Sequence, residues 1–194
     1  MGHPASAPRH GHVGEGSTTV LREVPVLPVV IPVAAVVLLV LLARLRRRGL
    51  LSAPRAAVAV ALCVYAAGVV ANTVFPIHLD LLADRPPWRV YFSPGDYEVA
   101  DAVTNMVVFA PLGVLIPLLV TRPSFPRVLL VAAALSLTIE TTQLVTAHYL
   151  RGGHVADVSD LVFNVLGAAA GFGVYLAFSR VPVAAGVVDR FRWR

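Results

Sequence analysis

Five long apolar stretches, each carrying few charges, set the frame of this chain: about Val24–Ala43, Ala56–Phe75, Asp101–Val120, Val128–Ala147 and Asp160–Ser179. A helix rises about 1.5 Å per residue, so roughly 20 residues cover the hydrocarbon core of a bilayer. The pattern therefore predicts an all-α, polytopic membrane protein of about five transmembrane helices. Polar residues recur inside these stretches at helical spacing. Asp101 and Asn105 are four apart, Ser136, Glu140 and Gln143 follow i, i+4, i+7, and Asp157, Asp160 and Asn164 follow i, i+3, i+7. Each set falls on one helix face. A carboxylate or amide in hydrocarbon costs a few kcal/mol unless it finds a partner or water. Three such faces at comparable depth predict one shared polar site.

Composition agrees with the pattern. The chain is 57% hydrophobic and 14% charged, with a mean hydropathy of +0.77 over 194 residues, too apolar for an ordinary soluble domain. All 16 basic residues are arginine, and 11 of them fall between the first two spans, between the third and fourth, and after the fifth. Positively charged connections stay cytoplasmic, so the reading places the N-terminus outside and the C-terminus inside. Nine of the eleven acids then lie on the outer side. The high pI invites a nucleic-acid reading, but arginines beside membrane spans are explained by topology and anionic headgroups, and no nucleic-acid partner is expected. The single cysteine, Cys63, lies in an apolar span, so no intrachain disulfide or cysteine-based metal site is available. No metal and no cofactor is expected.

The chain divides into four parts. Residues 1–23, rich in Gly, Ala, Pro and Ser with His3, His10 and His12, read as a disordered external tail. Residues 24–55 form an extra N-terminal transmembrane anchor followed by an arginine-rich cytoplasmic loop. Its apolar run is too long for a signal peptide, and Pro25, Pro28 and Pro32 fall in its first turns, where proline is tolerated. Residues 56–179 make a four-helix membrane domain, and residues 180–194 a basic cytoplasmic tail. The connection between Pro76 and Ala100 carries Trp88, Tyr91, Phe92 and Tyr97 among prolines, the composition of a segment lying at headgroup level. It is either a plain anchored loop or a lid over the polar site.

The candidate polar site comprises Asp101, Asn105, Glu140, Gln143, Arg151, His154, Asp157, Asp160 and Asn164. Glu140, about 10 Å below the predicted outer end of its span, is the hardest to reconcile with lipid. Asp157 and Asp160 also suit the N-terminus of a helix, so capping competes with ligand chemistry there. Gly113 permits close approach of another helix, and Gly167 with Gly171 form a small-xxx-small pair that marks tight helix packing.

These residues resemble the VanZ-like membrane proteins from about Leu62 to Phe178. The resemblance rests on Thr73-Val74-Phe75-Pro76, on Asn105 with Phe109-Ala110-Pro111-Leu112-Gly113, on Glu140-Thr141-Thr142-Gln143, and on the run from Ala156 to Gly167. The family usually has an arginine three residues before the first aspartate of that last run, where this chain has His154; Arg151 is nearby. What the resemblance implies is an integral, multi-pass cell-membrane protein of a family named for low-level resistance to teicoplanin, without a settled biochemical activity.

Three functional readings follow. In the first, an outward-facing cavity takes the polar head of a membrane lipid or amphiphilic envelope ligand, with Arg151, His154, Asn105, Asn164 and Gln143 hydrogen bonding and Asp101, Glu140, Asp157 and Asp160 meeting cationic groups. In the second, the carboxylates with His148 or His154 do acid–base or metal chemistry on a lipid phosphate or ester. No H-E-x-x-H or G-x-S-x-G pattern supports that, and the reading leans away from an enzyme. In the third, the polar groups only bond one another and hold helices together. The sequence leaves the oligomeric state open.

Overall fold

A computed structural model describes residues 22–75, 78–79, 88–91, 98–150 and 156–194. Among them are six helices: α1 (Val26–Arg47), α2 (Ala53–Val74), α3 (Val99–Leu119), α4 (Phe125–Leu150), α5 (Val158–Arg180) and α6 (Pro182–Phe191). The first five are long and apolar enough to cross a membrane. Four two-residue strands complete the picture. β1 (Arg22–Glu23) pairs antiparallel with β2 (His78–Leu79), and β3 (Val90–Tyr91) pairs parallel with β4 (Ala156–Asp157).

The ends of the helices are written in the sequence. Pro25 is the N-cap of α1, and the helix continues through Pro32. It stops where Gly49 takes φ +67°, a conformation that glycine adopts without steric cost. There Leu50 N–H reaches Leu45 C=O and Gly49 N–H reaches Arg46 C=O, the paired bonds of a Schellman ending. Helix α2 begins after Ser52 with a proline in its first turn, where no N–H is lost. Asp157 caps α5 by accepting from Ser159 N–H at 2.7 Å.

The core lies among α2, α3, α4 and α5. Phe109, Leu112, Leu115 and Ile116 of α3 meet Val128, Ala132 and Ile139 of α4, Ala168, Phe172 and Tyr175 of α5, and Val58 of α2. Helix α1 packs on α2 and otherwise presents Leu27, Ile31, Val33, Val36 and Leu39 outward. Such a surface is stable only in an apolar medium.

Helices α3 and α5 run parallel at very close range. A Cβ at Gly167 would strike the backbone of Met106, one at Gly171 the backbone of Ala110, and one at Gly113 the backbone of Ala168, Gly171 and Phe172. Without glycine the two backbones could not approach this closely, and close approach is what gives apolar helices van der Waals adhesion in lipid. This contact brings the N-terminal turns of α3 and α5 together beside the C-terminal end of α4, forming the polar end of the bundle.

The opposite end is tied by the C-terminus. The segment expected as a basic tail forms α6, and the residues after it return to the bundle. Trp193 N–H donates to Leu118 C=O at 2.9 Å and its indole Nε1–H to Arg55 C=O at 3.3 Å. Arg55 in turn donates to the carbonyls of Arg192 at 2.7 Å and Arg194 at 3.0 Å. Arg192 also pairs with Asp189 at 2.7 Å and hydrogen bonds the Tyr175 hydroxyl.

Candidate functional site

Glu140 and Gln143 sit on the face of α4 that packs on α5, and both are buried. Glu140 Oε2 accepts from the backbone N–H of Asp157 at 3.0 Å, and its Oε1 has no partner among the described residues. Only 9% of Glu140 is exposed. It lies at the foot of a groove of about 220 Å³ formed by Val90, Leu137, Thr141, Leu144, Ala156, Asp157, Val158 and Leu161. The groove is thus a largely apolar trough with the Glu140 residue in its lining. The α5 cap lines it too, and the Asp160 carboxylate is close enough to act electrostatically on Glu140.

The remaining candidates separate into pairs. Asn105 Nδ2 donates to Asp160 Oδ1 at 2.7 Å, linking α3 to α5. Asn164 Nδ2 donates to Ser136 Oγ at 3.0 Å, linking α5 to α4 in a spot where Ser136 is fully buried and Asn164 3% exposed. Gln143 Oε1 and Asn164 Oδ1 are buried without a hydrogen-bond partner among the described residues. Asp101 is exposed on the first turn of α3. Arg151 and His154 lie outside the described residues.

The family model VanZ/LLP1 matches residues 57–179. This chain belongs to the VanZ/LLP1 family. The match spans nearly all of α2 and α5 and the whole of α3 and α4, and it contains all nine candidate polar residues. Helices α1 and α6 fall outside it. The chain matches no curated protein and no solved structure. As a VanZ/LLP1 protein with five spanning helices it is a multi-pass membrane protein.

At the lip of the groove the loop between α2 and α3 meets α4. The Trp88 ring stacks on His148 with centroids 3.9 Å apart and 17° between planes, and Tyr149 meets both rings edge-on. His148 lies one turn beyond Leu144 on α4, so the stack stands just past the groove lining. Two residues after Trp88, Val90 enters the groove wall while its strand pairs with β4. Phe92 and Tyr97 of the same loop lie outside the described residues. Among the described residues no three of His, Cys, Asp and Glu are disposed to hold a metal ion.

Two features of this VanZ/LLP1 site lie beyond the nine candidate residues. Ser136 shares the polar face of α4 but was not among the nine candidates, although its spacing to Glu140 was the available signal. The apolar wall residues Leu137, Leu144, Val158 and Leu161 carry no sequence mark, because any lipid-facing leucine or valine looks the same in one dimension.

Proposed function

We propose that this protein recognises the polar head of an envelope amphiphile in the Glu140 groove, with the polar end of the bundle facing outward. The supporting observation is the pairing of a buried carboxylate, one oxygen without a partner among the described residues, with an apolar trough of about 220 Å³. A charge held in that position costs stability unless something binds it, and an amphiphile supplies both a head for the carboxylate and a tail for the trough. The outward orientation follows from the arginines, 11 of which this topology puts inside. A link to teicoplanin-type glycopeptide resistance is part of the proposal and rests on the family alone.

A packing role is favoured for two of the polar pairs. Asn164–Ser136 and Asn105–Asp160 bridge helices directly, as interhelical hydrogen bonds do in membranes. The groove reading concerns Glu140 and Asp157. A photo-crosslinking residue at Leu137, in the groove, should capture envelope amphiphiles that the same residue at lipid-facing Val174 does not. Identical adducts at both positions would mean that the trough is ordinary lipid-facing surface.

A further inference from the structure

Glu140 and Asp157 bring two carboxylates into the otherwise largely apolar lining of the groove. Glu140 Oε1 has no partner among the described residues, and the carbonyl oxygens of Gln143 and Asn164 are buried without one. These two residues flank Glu140 along the α4–α5 seam: Gln143 follows it by three positions, and Asn164 is bonded to Ser136, one turn before it. The Asn164 amide is engaged by Ser136 and the Asp157 N–H by Glu140. Asp157 adds a second carboxylate to the groove wall, its Oδ1 engaged by Ser159 N–H. No cationic side chain lines the groove among the described residues.

We propose that the head taken by this groove is a protonated primary amine, an N–H-donating cation on an apolar tail. The inference rests on the amphiphile reading and names its chemical class. A phosphate or carboxylate head would bring further negative charge to a groove whose described lining already carries two carboxylates. A quaternary ammonium would bring charge without N–H donors, leaving the second Glu140 oxygen without a hydrogen-bond partner. It would also want open aromatic faces, whereas Trp88 and His148 are stacked on each other. An ammonium has three N–H donors for the second Glu140 oxygen and the Asp157 carboxylate in the groove wall.

The test uses the full chain in phosphatidylcholine nanodiscs and three probes with one tail: dodecylammonium, dodecyltrimethylammonium and dodecylphosphate. Binding is measured against empty nanodiscs to subtract partition into lipid. The expected order is dodecylammonium first, about tenfold or more above either other probe, since loss of a charge-assisted hydrogen bond has that scale. Glu140→Gln, which keeps an acceptor for the Asp157 N–H, should erase the preference, with thermal unfolding checked in parallel. Leu137→Trp, which fills the trough and leaves the carboxylate, should weaken all three probes alike. Tightest binding of dodecylphosphate would overturn the amine inference and leave the amphiphile reading standing. Equal binding of the two cations would overturn the requirement for N–H donors. If no probe bound above empty nanodiscs, both readings would fall.

Discussion

The carboxylate of Glu140 accepts the backbone N–H of Asp157 at 3.0 Å, joining the middle of α4 to the residue that caps α5. Because Asp157 also belongs to β4, which pairs with β3 of the α2–α3 loop, this one bond connects the groove floor, the start of α5 and the groove lip. A ligand that draws on Glu140 acts on all three.

Glu140→Gln keeps the shape of the side chain and an acceptor for the Asp157 N–H but removes the charge. The variant is expected to accumulate in membranes like the parent, and to lose any protection of a host against lipoglycopeptides that the parent confers. A well-accumulated variant protecting as well as the parent would show the charge to be dispensable and leave helix packing as the better account of Glu140.

Glycines of this chain are expected to divide sharply on substitution. Gly167→Val or Gly171→Val must push α5 off the backbone of α3, since a Cβ there meets Met106 or Ala110. The expected loss is about 3 kcal/mol or more, because rigid backbone cannot make room as side chains do. Gly173→Ala and Gly68→Ala, which meet nothing within 4 Å, should leave stability unchanged or slightly raised. Detergent-resistance melting of the four variants measures this, and equal behaviour would mean that α3 and α5 do not pack as described.

Asn164 and Ser136 should be coupled. In a double-mutant cycle with Asn164→Ala and Ser136→Ala, the interaction energy is expected near 1 kcal/mol, the usual scale for interhelical hydrogen bonds in membranes. A coupling indistinguishable from zero would remove this pair from the account of how α4 is held to α5.

Removing the return of the C-terminus should loosen the arginine end. Trp193→Ala deletes the bond to Arg55 C=O and the ring's contact with the core, with an expected cost of about 2 kcal/mol. Unfolding of the variant in mild detergent gives the number, and an unchanged midpoint would show the C-terminal residues to be loosely held.

The orientation can be checked by impermeant thiol labelling on a Cys63→Ser background. Val183 of α6 is 83% exposed, so a cysteine there is accessible to the reagent on its side of the membrane. Position 183 should stay unlabelled in intact cells while position 6 reacts. Labelling of 183 from outside, with 6 protected, would reverse the topology and place the groove inward.

Much of this protein was legible in one dimension. Five apolar stretches gave five helices, with ends shifted by a few residues where caps decided them: α1 runs on to Arg47 and its Gly49 ending, and α4 to Leu150. That extension puts Glu140 about 15 Å from the end of its helix instead of about 10 Å. Spacing also placed Glu140 and Gln143 on one face of α4, because a helix converts an interval of three residues into a shared direction whatever surrounds it. What spacing could not supply was the partner across the gap. Asn105 finds Asp160 and Asn164 finds Ser136, while Asp101, on the same face as Asn105 by count, stays exposed at the rim. Those choices depend on how far α5 slides along α3, which the backbone contacts at Gly113, Gly167 and Gly171 fix in three dimensions. The groove belongs to the tertiary structure for the same reason. Its wall is leucine and valine that hydropathy cannot tell from lipid-facing surface, and it exists only because α4, α5 and the β3–β4 pair converge around one buried carboxylate.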